Sequence, residues 1–362
     1  MTPPDLTSWL DHAPYSLRSG EKSRLLAKSL SDLTEWHRAA CPEYARILDL
    51  IGCPQLPVES PEKVPFIPAR LFKEFQLSSI DKSLVFKTLT SSGTTGQQVS
   101  RIYLDRETAS FQSRILTKIM GDVLGKKRVP MLVIDSPSVL KDRLSFSARG
   151  AGILGFSFFG QDVTYVLNDK MEIDLPAVKS FLERHSGQPI FLFGFTFMIW
   201  QHFYLALRDR GIRLPLEQGI LLHGGGWKKL QDQAVGREEF ATAMLERAGI
   251  PRVVNYYGMV EQTGSIYLEC EAGHLHAPVY SDVLIRDTKN FEPLPHGQVG
   301  LVEVLSLIPR SYPGHALLTE DLGRIDGEDD CPCGRFGKYF SILGRVAKAE
   351  TRGCSDTYEN HS

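Results

Sequence analysis

The stretch Thr90-Ser91-Ser92-Gly93-Thr94-Thr95-Gly96 constrains this chain more than any other. Leu84 to Leu89 before it and Ser100 to Leu104 after it read as strands by alternation, so a hairpin is predicted around the loop. Its two glycines let the backbone fold tightly and come close to a ligand. The freed N–H groups and the Ser and Thr hydroxyls then form a concave donor surface that suits phosphate oxygens. A plain polar hairpin loop is the other reading. The P-loop of NTPases is excluded, because it needs Gly-Lys-Ser/Thr opening a helix and Gly96 is followed by Gln97-Gln98.

At 362 residues, 42% hydrophobic, the chain has ample material for a core, in two or three average domains or one large one with an appendage. A net charge of -2 makes no broad electrostatic case for nucleic acid or an anionic membrane. The first residues lack the basic and apolar regions of a signal peptide, and no apolar run is long enough to span a bilayer. Six cysteines in this length are not a disulfide scaffold. A cytoplasmic, reducing setting is expected.

Helices are predicted up to about residue 52. Ser19 is placed to cap one whose face carries Leu25, Leu26, Leu30, Leu33 and Trp36, and Pro42 and Gly52 bound the next. A proline-rich connector, Pro54 to Pro68, is expected to lie extended against the body. Beyond the loop, Asp105 caps a predicted helix, Val129 to Asp135 is a strand, and Gly150 to Gly155 reads as a small, flexible stretch. Then come a helix opened by Asp174 and Pro176, a strand 189–194, a helix 195–210, a strand 219–223 and a helix 230–247. Such alternation predicts a parallel sheet covered by helices. From Ser265 onward short β segments dominate.

Three further stretches lie where strands end. Asn255 to Gly264 contains Tyr257-Gly258-Met259-Val260-Glu261, in which an aromatic and a glycine offer a face for a base and a carboxylate three residues on can hold Mg²⁺. His223-Gly224-Gly225-Gly226-Trp227 follows an apolar strand, and Thr319-Glu320-Asp321 lies downstream. Taken singly, the first two also read as structural turns. Cys270, followed by His274 and His276, and the distant Cys331-Pro332-Cys333 supply three thiolates and an imidazole, enough to close a tetrahedral Zn²⁺ site. His276 is the preferred fourth ligand and His274 the alternate; unlinked thiols are the other reading. Cys41 and Cys53 sit near apolar helices and read as core.

Taken together and in this order, these stretches resemble the adenylate-forming enzymes, the class that includes acyl-CoA synthetases. The resemblance implies an α/β fold like that class's large domain, with parallel sheets covered by helices plus a smaller β-rich part. It implies that Ser91, Ser92, Gly93, Thr94, Thr95 and Gly96 bind the phosphates of ATP. Gly224, Gly225, Tyr257 and Gly258 would face the adenine, Glu261 would hold Mg²⁺, and Asp321 would hold the ribose. Gly344-Arg345 resembles the hinge entry, whose Arg345 reaches toward the nucleotide. Two departures are visible: Gln97-Gln98 replaces the usual Pro-Lys, with Arg101 as a stand-in cation, and Glu320 replaces a glycine. The cysteine–histidine pattern resembles that of phenylacetate–CoA ligase-like members, which implies a structural zinc at Cys270, His276, Cys331 and Cys333.

Past Arg345 the chain is expected to lack that class's small C-terminal domain, and Arg352-Gly353-Cys354 lies on a polar stretch. With the Ser-Ser-Gly-Thr-Thr-Gly loop and the Tyr-Gly-Met-x-Glu-Gln stretch, it resembles the acyl-protein synthetases of bacterial bioluminescence fatty-acid reductase complexes. That resemblance implies activation of a fatty acid with ATP and Mg²⁺, transfer to Cys354 as a thioester, and delivery to an acyl reductase. It leaves room for an oligomer within a multienzyme complex. The expected division is 1–68 (helices and connector), 69–264 (ATP- and acyl-binding core), 265–343 (β-rich part with the zinc ligands) and 344–362 (tail). Phe156 to Phe159 and Phe191 to Met198 are candidates for an acyl tunnel, or for core. A phenylacetate-type CoA ligase and a silent nucleotide-binding scaffold are the rival readings.

Overall fold

A computed structural model describes the backbone of residues 2–91, 99–140 and 148–346. It divides into two compact units, one of residues 2–91, 99–120 and 258–346 and the other of residues 121–140 and 148–257. The division falls between Tyr257 and Gly258, inside the Tyr-Gly motif. The predicted sites Ser92, Gly93, Thr94, Thr95, Gly96 and Cys354 lie outside the described residues.

In the second unit all strand pairs are parallel. Their order is Arg252–Tyr257, Gly219–Gly224, Ile190–Phe195, Val129–Val133, Gly160–Tyr165. Every residue of Ile190–Phe195 is buried, as expected for a strand covered on both faces. Asp174 accepts from Ala177 N at 3.0 Å and starts the helix Leu175–Arg184. Two predictions fail here. Gly150 to Gly155 is not a flexible stretch but part of the helix Ala148–Ser157, because a Cβ on Gly152 would already lie 3.2 Å from the Phe195 ring. Small residues there allow helix and strand to approach closely. The predicted helix 230–247 is broken before Gly236, and only Arg237–Ala248 is α-helical.

The first unit carries the β-rich part. Ser281–Arg286, Gly300–Ser306, Ala316–Glu328, Lys338–Arg345, Leu275–His276 and Tyr267–Glu269 form an antiparallel series. The connector docks as expected: Ile67 and Pro68 pair in parallel with Leu317 and Leu318, and Val64 and Ile67 are buried. The hairpin is also present, with Leu89 opposite Ile102, although its first strand is shorter than expected, Lys87–Thr90. Helix Ser19–Ala40 buries Leu26, Leu30, Leu33 and Trp36. Ser19 is its first residue rather than its cap, and the Ser19 N–H donates to Asp329. A buried tie holds this helix to the sheet: Asp282 lies between Lys22 at 3.3 Å and Lys338 at 2.9 Å.

Beside that helix two buried histidines stack, His37 and His315, with ring centroids 5.0 Å apart. The His37 Nε2–H donates to Pro309 O at 3.1 Å, so Nδ1 accepts from Ser79 at 2.7 Å. The Thr34 hydroxyl gives its proton to Leu30 O, leaving its oxygen for His315 Nε2–H at 2.9 Å. Burial holds the His315 pKa down to about 3, against 6.5 when unfolded. Across that window the unfolded chain binds more protons. The contribution is therefore intact above pH 6.5 and falls by about 1.4 kcal/mol per pH unit as the pH drops toward 3. Denaturant midpoints at pH 7.5 and pH 5 should show a steeper loss in the wild type than in His315→Gln; equal slopes would refute the assignment.

Candidate active site

In the first unit the motif around Glu261 is anchored from behind. The Gln262 side-chain amide donates to Val304 O at 2.9 Å and to Gly314 O at 2.8 Å. Ser265 bonds Ser306 at 2.6 Å, and Gly264 adopts φ +91° against Gln112. These contacts hold the turn Val260–Gln262 on the strand Gly300–Ser306. Glu261 itself is buried and has no ion-pair partner among the described residues. Burial pushes its carboxyl upward; the Ser100 hydroxyl, Lys73 and Arg345 pull it partly back. A buried carboxylate with no cation in ion-pair contact suits a divalent metal, which would reverse that shift. Gln262 and Ser100 were missed as functional residues in the sequence. The Glu-Gln adjacency is the only trace of the first.

Ser91 and Ser100 close the base of the loop: Ser91 N donates to Ser100 O at 3.1 Å, and Ser100 N donates to Ser91 Oγ at 2.9 Å. Asp321 and Arg345, 24 residues apart, face each other across paired strands, with Arg345 Nε 3.0 Å from Asp321 Oδ1. Thr319 Oγ1 donates to Val302 O and accepts from Asp321 N, holding the bulged stretch of the strand Ala316–Glu328 that carries Glu320 and Asp321. The first unit thus places Ser91, Glu261, Asp321 and Arg345.

Gly224, Gly225 and Tyr257 belong to the second unit, at the carboxyl ends of its parallel strands. A Cβ on Gly224 would lie 2.5 Å from the Tyr256 ring, so only glycine fits, and Gly225 takes φ +78°. Thr196, which the sequence did not single out, donates to Gly224 O at 3.1 Å and accepts from His223 Nδ1 at 2.9 Å, tying two strand ends together. Of the proposed tunnel aromatics, Phe191, Phe193, Phe195 and Phe156 are buried, whereas Phe158 is exposed.

The sulfur cluster is compact. Ligand atoms of Cys270, His276, Cys331 and Cys333 lie within 4.8 Å of one another. Cys270 and Cys331 sulfurs are 3.8 Å apart, and Cys333 Sγ is 3.4 Å from His276 Nε2. Tetrahedral zinc with ordinary bond lengths requires S–S edges of about 3.8 Å and S–N edges of about 3.6 Å. These two edges match that geometry, and the donor set is one that zinc takes. His274 is outside the cluster, 3.4 Å from Asp326. Cys41 is buried as expected, and Cys53 is half-buried.

The fold recurs in solved structures of 2-hydroxyisobutyryl-CoA ligase. One, in an open conformation with 2-HIB-AMP and CoA, has a TM-score of 0.68 and 17% identity, covering 96% of this chain and 80% of that one. Another, in the postadenylation state with 2-HIB-AMP, has a TM-score of 0.70 and 16% identity, covering 96% and 72%. The architecture is that of an adenylate-forming enzyme. The sequence profile of the family described as "Acyl-protein synthetase, LuxE" matches residues 5–361. The chain belongs to that family and is an ATP-dependent acyl-protein synthetase. It is 25% identical over 347 residues to the long-chain-fatty-acid–luciferin-component ligase of Vibrio harveyi, covering 92% of this chain and 87% of the relative. No helix among the described residues is long and apolar enough to cross a membrane.

Proposed function

We propose that this synthetase activates a long-chain fatty acid with ATP, carries the acyl group on Cys354, and hands it to an acyl reductase that makes aldehyde. One observation carries the reading: the family match spans residues 5–361 and so takes in the glycine-rich loop, Glu261 and Cys354 together. The name of the Vibrio relative supports the fatty acid as substrate class and a luciferin-producing partner.

In the first half-reaction a carboxylate oxygen of the acid attacks the α-phosphorus and pyrophosphate leaves, giving acyl-adenylate. The carboxylate is already ionised, so no protein base is needed. Loop donors from Ser91 to Gly96 would stabilise charge growing on the phosphate oxygens. Glu261 would hold Mg²⁺, which when bound supplies charge neutralisation at the phosphates. Tyr257, Gly258, Gly224 and Gly225 would frame the adenine, and Asp321, oriented by Arg345, would take the ribose hydroxyls. In the second half-reaction the Cys354 thiolate attacks the acyl carbonyl and AMP departs with the bonding pair, leaving a thioester. Cys270, His276, Cys331 and Cys333 would hold a structural zinc with no part in either step.

Labelling tests the scheme. With ATP, Mg²⁺ and radiolabelled tetradecanoate, the wild type should acquire hydroxylamine-labile label. Cys354→Ser should acquire none yet still exchange pyrophosphate into ATP. Turnover that depends on added CoA, with no label on the protein, would instead establish a CoA ligase. Absence of exchange in the wild type would leave only a nucleotide-binding scaffold.

A further inference from the structure

In the second unit the chain lays down Val129–Val133, moves out to Gly160–Tyr165 on one side, then crosses back to Ile190–Phe195 on the other. The winding reverses between Val129–Val133 and Ile190–Phe195. Open α/β sheets take ligands in the crevice beyond the carboxyl ends at such a point. Val133, the last residue of its strand, pairs with Phe193, Asp135 follows two residues on, and Phe195, two residues past Phe193, pairs with Gly224. Asp135 thus leaves the carboxyl end of a strand two places along the sheet from the strand that carries the glycine turn assigned to the nucleotide.

Arg149 reaches the same crevice. It precedes Gly152 by three residues and shares its helix face, the face that packs on the Phe195 ring. Both charged groups are almost fully buried, Asp135 at 1% and Arg149 at 5% exposure. Arg149 Nε lies 3.1 Å from Asp135 Oδ2, and Nη1 donates to the Met198 sulfur at 3.7 Å. By hydrogen-bond geometry Arg149 Nε and Asp135 Oδ2, both buried, have no partner among the described residues, so their contact is an ion pair only. Asp135 Oδ1 accepts from Ser136 N at 2.7 Å. A guanidinium can serve two carboxylates at once, one on each edge. Here Asp135 balances the charge beside Nε while Nη1 meets only a thioether, and Ile134 (next to Asp135), Ile153 (one helical turn from Arg149) and Met198 are all buried. An arginine buried this deeply with donors to spare is costly unless something fills them. Apolar walls around a single cation suit an amphiphile with one negative charge better than a heavily hydrated phosphate.

We propose that Arg149 receives the carboxylate of the substrate acid on its free edge, with Asp135 as the positioning residue that fixes the guanidinium. This rests on the carboxylic-acid reading of the substrate given above, and names the group that orients it.

The test compares dodecanoate with dodecanol by calorimetric titration of the full-length protein, alongside acid-dependent pyrophosphate exchange. The wild type should bind the acid on the order of 10–100-fold more tightly than the alcohol. Arg149→Met should bind both about equally, raising KM for the acid in exchange while leaving KM for ATP unchanged. Arg149→Lys should keep part of the preference. Should Arg149→Met lose the alcohol as well, Arg149→Lys decides: a retained acid preference supports the proposal, and loss of both ligands overturns it. An undiminished acid preference in Arg149→Met also overturns it, as does a rise confined to KM for ATP, which would make phosphate the anion held. If the wild type itself shows no acid-dependent exchange, it is the substrate reading that has failed.

Discussion

Replacing Glu261 by Gln is expected to slow acid-dependent pyrophosphate exchange by on the order of 10²–10³-fold, with no loss of melting temperature. The two halves of this expectation come from one observation. Glu261 is buried with no ion-pair partner among the described residues, and burial pushes its carboxyl above the usual carboxylate range. A charge placed so is costly to the folded chain, and the neutral amide of the same shape relieves that cost. A residue serving stability would behave in the opposite way. Gln262, whose amide anchors the turn, offers the contrast: Gln262→Leu leaves two buried carbonyls unpaired and should lower both activity and melting temperature. Exchange kinetics and a thermal melt on Glu261→Gln settle the matter. Activity retained within a factor of about three would remove Glu261 from the metal role.

Cys333→Ser is expected to release one equivalent of zinc and to lower the melting temperature by about 5–10 °C. The cluster joins the strand Leu275–His276 to the turn at Cys331 to Gly334, 61 residues apart at Cys270 and Cys331. Without a cation these thiols are poorly placed: burial pushes Cys331 up to about 12. Metal analysis of the purified protein, before and after chelation, reads the first half of the expectation and a thermal melt the second. Wild-type protein that is free of metal and melts unchanged in chelator would leave the four residues as packed thiols. If the cluster serves structure alone, as proposed, exchange per folded molecule should be the same in Cys333→Ser.

Much of this was legible in the sequence because periodicity and capping are local. The alternation of strands and helices from Val129 to Ala248 follows from apolar runs punctuated by Gly and Pro, and the Asp105 and Asp174 caps lie where short polar side chains precede helices. That Cys270, His276, Cys331 and Cys333 would come together was readable because few other residues suit that chemistry. What stayed hidden is tertiary. Gly150 to Gly155 looks flexible until Phe195 is packed against it. Thr196 and Gln262 are ordinary polar residues whose partners, Gly224 O, Val304 O and Gly314 O, are backbone atoms with no sequence signature. Asp135 and Arg149 are charges in apolar neighbourhoods, and only the strand register reveals that they meet.

The discontinuity of the first unit has a temporal side. Lys22 finds Asp282 260 residues later, and His37 finds Pro309 272 residues later. At ribosomal speeds of 5–20 residues per second, the helix Ser19–Ala40 waits roughly 15–50 s for the partners of Lys22 and His37. The second unit is synthesised in one run during that interval and has all its parallel strands in hand before the first unit can close. Order of birth is therefore inverted relative to order of completion, and the N-terminal helices are the surface that nascent-chain chaperones would meet longest.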